Sequence, residues 1–226
     1  MLVLALISPL DPLGETLLSA HMLQHILLTA VAPLLLVLGA PLRAWTWALP
    51  KRWRSVGATP PARILATLDT RLTRPWIATV VHGATVWIWH APGLFEAALE
   101  DDGLHTLEHV AFMLSALVFW TAICRRDVHA MNASGALLVT FMHGGMLGGV
   151  LTLSPSPLYA WYDNQALLWG LSPLQDQQLA GLLMWVAAGA IYLSVFGWFV
   201  MRGLAPSPAL PRAGIMRANT SSRSMK

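Results

Sequence analysis

Five long apolar runs decide what this 226-residue chain can become. They cover roughly residues 17–39, 75–90, 105–124, 133–153 and 178–201. Each approaches the ~20 residues that a helix needs to cross about 30 Å of hydrocarbon, the second being the shortest. Only 11% of the residues are charged, against about a quarter in a soluble domain, so the chain's solvent is lipid. In lipid every backbone N–H and C=O must find an internal partner, which leaves helices or a closed barrel. The runs show no period-2 alternation, and this selects helices. The expected fold is an all-α polytopic transmembrane helix bundle over residues 1–203, with about five full spans. Residues 1–10, "MLVLALISPL", are a short N-terminal apolar segment broken by Pro9: the end of a further helix or an interfacial arm. They lack the basic n-region of a signal peptide. Residues 204–226 are rich in Pro, Ser and Arg and read as a disordered cytoplasmic tail.

Charge sets the direction. All 14 Lys and Arg fall on alternate connections: Arg43 to Arg74 after the first run, Arg125 and Arg126 after the third, and Arg202 to Lys226 after the fifth. The remaining connections carry Asp11, Glu15, Glu96, Glu100, Asp101, Asp102, Asp163 and Asp176, with no basic residue. The positive-inside rule then predicts an N-terminus outside and a C-terminus in the cytoplasm of the plasma (inner) membrane. This accounts for the basic balance without nucleic acid as a partner. Residues 43–55, with Trp45, Trp47 and Trp53 among basic residues, suit the inner headgroup layer.

On that topology five of the eight histidines share one level at the outer face. His21 and His25 open the first span, His90 ends the second, and His105 and His109 open the third. Both i,i+4 pairs project from a single helix face, and two such faces suit one metal ion. Met113 continues the His105/His109 stripe, and His143 is followed by Met146. Imidazole with thioether is a soft set that favours Cu(I) over magnesium, calcium or manganese. Glu108, beside His109, reads as a partner that fixes a tautomer or as an interfacial residue. His82 and His143 lie deeper, on the order of 12–15 Å below the outer ends of their spans. The single cysteine, Cys124, excludes an internal disulfide and a CxxC metal site.

Other classes compete. His82 and His143 are placed to act as axial ligands of a heme-binding membrane protein. A diiron hydroxylase would add HxxHH clusters, which are absent. A metal-free scaffold would use the histidines only for packing and hydrogen bonds.

The blocks "SPLDPLGETLLSAHMLQH", "WIWHAPGLFEAAL", "LHTLEHVAFMLSALVFW", "LYAWY" and "LSPLQDQQLAGLLMW" occur in the order found in the CtaG-type cytochrome c oxidase assembly factors, which the chain resembles from about residue 8 to 200. Family chains carry additional membrane helix before the "SPLD" block. The resemblance implies a role in building the copper centres of a caa3-type oxidase, with an oxidase subunit and an extracytoplasmic copper donor as partners. The matching positions are His21, Gln24, His25, His90, His105, His109, Asp176 and Gln177. Gln24 is expected to bond between helices, and Asp176 to cap the helix it begins. The combined expectation is a non-enzymatic copper-handling protein that holds Cu(I) transiently through His21, His25, His105 and His109, with His90 and Met113 as further ligands.

Overall fold

Pro33 shapes the first long helix. It carries no N–H, so the Thr29 carbonyl four residues earlier loses its intrahelical donor. The computed structural model, which describes residues 9–39 and 74–204, shows the response. The helix widens into a π turn at Leu27–Val31. The Trp120 indole N–H, from another helix, donates to the orphaned Thr29 carbonyl at 2.9 Å. The Thr29 hydroxyl donates to the His25 carbonyl at 2.6 Å.

The described residues form seven helices and two short 3-10 turns, with no strand among them. Helix α1 is Leu10–Gly14 and α2 runs from Leu18 to Gly39 through the π turn. Helix α3 is Pro75–Trp89, α4 is Pro92–Glu100, α5 is Asp102–Cys124 and α6 is Ala130–Leu153. The turns Ala160–Tyr162 and Ala166–Trp169 lead to α7, Pro173–Leu204, which holds a second π turn at Leu183–Ala188. Helices α2, α5, α6 and α7 are long and apolar enough to cross a membrane. This is the expected all-α multi-pass bundle, with four helices of crossing length where the sequence suggested about five spans. The difference lies at α3, whose 15 residues extend only about 22 Å. The expectations for residues 1–8, 43–55 and 205–226 lie outside the described residues.

The five long helices close a ring in the order α2, α5, α3, α6, α7 and back to α2. Two glycines allow the α6–α7 crossing: a Cβ on Gly148 would lie 2.7 Å from the Gly181 carbonyl oxygen. The ring interior divides along its length. Toward the Cys124 end of α5, Phe119, Trp120, Ile123, Leu137, Tyr192 and Phe199 form a buried apolar cluster. The Trp120 and Tyr192 rings stack there, with centroids 5.4 Å apart. Toward the Leu18 end of α2 the interior holds several imidazoles among apolar side chains such as Leu18, Met22, Phe95 and Phe112.

Candidate metal centre

Helix starts position the first two histidines. Leu17 is extended, so α2 begins abruptly at Leu18 with open N–H groups. The Asp176 carboxylate, from the first turn of α7, accepts from Leu18 N at 2.6 Å and Ser19 N at 3.1 Å. It also accepts from the Ser19 hydroxyl at 2.5 Å. Asp176 therefore caps α2, not the helix it begins; that helix is capped by Ser172 in a capping box with Gln175. This pin fixes His21 one turn into α2 and His25 two turns in. On the facing helix, Asp101 caps α5 by accepting from Leu104 N at 2.8 Å. His105, Glu108 and His109 follow in its first two turns.

The two helix faces meet. Ring centroids of His21 and His25 are 4.3 Å apart, and those of His105 and His109 also 4.3 Å. Across the interface, His21 lies 5.3 Å from His105 and 6.0 Å from His109, and His25 lies 5.5 Å from His109. One ligand nitrogen from each of His21, His25 and His109 falls within 4.8 Å of the other two. His21, His105 and Glu108 form a second such group. Glu108 Oε1 is 3.7 Å from His25 Nε2. So Glu108 faces the centre directly instead of bracing its neighbour His109.

Most of these groups are dry, and their buried polar atoms close no hydrogen bond. Glu108 is 0% exposed, His21 1%, His25 3% and His109 8%, so bulk water does not reach them. Both nitrogens of His21 and His25, Nε2 of His109 and His105, and both Glu108 oxygens make no hydrogen bond. The His21 ring faces the Gly14 carbonyl without closing a bond to it. Leaving a buried polar group unmade costs about 1–3 kcal/mol, and a fold rarely concentrates so many. A single cation at the centre would satisfy several at once. The donors are imidazole nitrogen and carboxylate oxygen, within the range of zinc, copper, iron and nickel sites.

The other expected residues divide. His90 follows α3, and its Nδ1 donates to the Val86 carbonyl at 2.7 Å. That bond fixes the tautomer and leaves Nε2 buried and unpartnered. Its ring is 5.5 Å from His25, at the edge of the centre. Met113 is half-buried and lines a cavity of about 570 Å³ with Asp11, Glu15, Asp102, His105 and His109. This cavity opens beside the centre and carries an acidic rim. Gln24 donates to Asp11 Oδ1 at 3.0 Å, holding α1 against α2. Gln177 ties the loop after α6, accepting from Leu158 N at 2.6 Å and donating to the Leu151 carbonyl at 3.1 Å. Met146 is 59% exposed on the outside of α6, where the structure does not bring it to the centre. His82 and His143 sit deeper in the ring and do not join it.

Sequence reasoning missed the aromatic supports. Phe95, on α4, is fully buried with its ring 5.2 Å from His21, and Phe112 lies 4.6 Å from His25. Tyr159 donates to the His90 carbonyl at 2.9 Å, and Tyr162 to the Gly14 carbonyl at 2.8 Å. Burial pushes both phenols above the usual tyrosine range, with Glu108 adding to the effect at Tyr159 and Asp176 at Tyr162. Both therefore remain neutral donors. The "LYAWY" block carries part of the family resemblance, but its reach back to residues 14 and 90 has no local signal.

Two uncharacterized proteins, from Mycobacterium bovis and Mycobacterium tuberculosis, are each 27% identical over 184 residues. The aligned region takes in 76% of this chain but only 28% of either relative, so the chain spans well under half their length. No solved structure matches it. The profile of the cytochrome c oxidase caa3 assembly factors (Caa3_CtaG) matches residues 1–205, nearly the whole chain, and the chain belongs to that family.

Proposed function

We propose that this assembly factor receives Cu(I) at the extracytoplasmic face and passes it to an oxidase subunit docked alongside. One observation carries the reading: three buried imidazoles from two helices, with ligand nitrogens within 4.8 Å of one another and no hydrogen-bond partner for those of His21 and His25. The distribution of basic residues supports placing the centre on the outer side, with the N-terminus outside and the C-terminus in the cytoplasm. The acid-rimmed cavity at His105 and His109 suits cation access from water, and Met113 on its wall offers a soft contact on the way. A donor outside the membrane would supply the ion. Transfer proceeds by exchange of ligands around an ion whose oxidation state does not change, so no substrate bond is made or broken and no enzymatic step is required. Neutral imidazoles bind without first losing a proton, which favours rapid exchange.

The heme reading fares worse. The space beside His82 and His143 is about 50 Å³. Sites for drug-sized ligands hold about 300–1,000 Å³, so a macrocycle does not fit this packing.

The test is elemental analysis with an absorption spectrum on detergent-purified protein loaded anaerobically with Cu(I), beside His21→Ala/His109→Ala. Copper bound by the parent, with less bound by the variant, unchanged helicity and no Soret band, is the expected result. Zinc that displaces copper at equal concentration would move the assignment to zinc. No metal in either sample would leave the metal-free scaffold as the function.

A further inference from the structure

The interior does not end at the three-histidine centre. Below it lies a small chamber of about 50 Å³, walled by His25, His90, His82, His143, Thr29 and Met184 among others. His25 and His90 form its upper wall, so the chamber is continuous with the centre. His82 is about 12 Å deeper than His90 along α3, at 1.5 Å per residue.

Several independent features converge there. His82 is 1% exposed, and its Nδ1 lies 3.1 Å from the Ser115 hydroxyl. Ser115 itself donates to the Phe112 carbonyl at 3.1 Å. With its proton committed, Ser115 accepts from His82 Nδ1–H, and Nε2 carries the free lone pair. Both nitrogens of His143 are buried and unpartnered. His143 sits against Gly83, the residue after His82, where an added Cβ would lie 3.1 Å from its Nε2. Met184, also on the chamber wall, brings a thioether from α7. Both π turns among the described residues border the chamber, through Thr29 in Leu27–Val31 and Met184 with Ala188 in Leu183–Ala188. Such turns break regular helix bonding and recur at functional sites.

We propose that the chamber is a second Cu(I) site, held by His82 Nε2, His143 and the Met184 sulfur, and reached from the first centre past His25 and His90. This rests on the copper reading above and adds a destination within the membrane. Two imidazoles and a thioether are a softer set than the imidazoles and carboxylate above, so the deeper site is the more selective for Cu(I). The volume admits an ion with at most a few waters. Passage is stepwise ligand exchange: a bond to His25 or His90 breaks as one to His82 or His143 forms, with no change in oxidation state or protonation. His143 is only half-buried, and exposed Met142 and Met146 flank it on the lipid-facing side of α6. The ion thus stands one side chain from the outside of the ring, at membrane depth.

Anaerobic titration of the full chain with the tetrakis(acetonitrile) Cu(I) complex, against a chromogenic chelator, tests this. X-ray absorption on the loaded samples adds the ligand types. The parent is expected to bind two ions, His82→Gln/His143→Gln one, and His21→Ala/His109→Ala one. Met184→Leu should remove the sulfur scattering while keeping the first centre. Gly83→Ala, which crowds His143 without removing a ligand, should weaken the second ion by about tenfold. Unchanged circular dichroism and melting in each variant secure the comparison. One ion in the parent, lost in His21→Ala/His109→Ala and kept in His82→Gln/His143→Gln, would overturn the second site and leave the first standing. No copper in the parent would overturn both.

Discussion

The two halves of the ring interior are built from the same helices and solved differently. Around Trp120 the buried polar groups mostly find hydrogen-bond partners: the Trp120 indole donates to Thr29, Thr140 to Ala136 and Thr79 to Pro75. What remains is aromatic and aliphatic contact. Around His21 the same α2 and α5 bury imidazoles and a carboxylate that meet each other without bonding. A core of the first kind gains stability from every contact. One of the second kind forgoes stability that, on the proposal above, a bound cation would restore. Helix α2 therefore joins an anchor at one end to the proposed receptor at the other.

Trp120→Ala would test the anchor most severely. It removes a fully buried ring and an indole bond, and should cost about 3–5 kcal/mol of stability. Thermal melting in detergent reads that loss, while copper stoichiometry in the surviving folded fraction should not change. A loss of copper equal to the loss of fold would show that the halves are not separable.

Asp176→Ala comes next and bears on the join between loop, α7 and α2. The carboxylate accepts three hydrogen bonds from Leu18 and Ser19. Its removal should cost about 1.5–3 kcal/mol. Because it holds the start of α2, copper affinity should fall together with the melting temperature. Asn at this position keeps an acceptor and should recover part of both.

His21→Leu has the opposite sign. It replaces a buried side chain whose two nitrogens are unpartnered with an apolar group of similar size. The metal-free protein should gain about 1–3 kcal/mol, since an orphaned polar pair is removed. Copper affinity should collapse in the same variant. A destabilised metal-free variant would mean that the imidazole is structural, and the contrast between halves would fail.

How much of this was legible follows the range of the interactions. The apolar runs, the HxxxH pairs and the alternating charge are local patterns, and they point to helices, a shared face and a topology. Pro33 is also local, and with Thr29 it marks the π turn in hindsight. Contacts such as Asp176 with Leu18, 158 residues apart, leave no trace in either segment. Helix α6 illustrates a different limit. It is apolar all round, as membrane helices are, so periodicity does not say which face is interior. Met146 enters the expected site by its closeness to His143 in the sequence, yet it lies on the outside while His143 three residues earlier reaches the chamber. Glu108 was placed by adjacency to His109, whereas helix geometry carries it toward His21 and His25.

The smallest effect belongs to the two tyrosines that brace the receptor from its loop. Tyr159→Phe removes a hydrogen bond to the His90 carbonyl and should cost about 0.5–1.5 kcal/mol at neutral pH. Its signature is in the alkaline limb. An acid whose folded pKa is raised keeps its proton in the fold after the unfolded chain has lost it. The unfolded state then binds fewer protons, and stability falls as pH rises above about 10, the ordinary tyrosine value. Burial raises both Tyr159 and Tyr162, so the parent should lose stability steeply in that range. Tyr159→Phe/Tyr162→Phe should start lower at pH 7 and fall less steeply above pH 10, so that the two melting curves converge. Parallel curves would mean that the phenols are not held neutral by the fold. The receptor's loop support would then be packing alone, and its difference from the anchor would narrow to the imidazoles and Glu108.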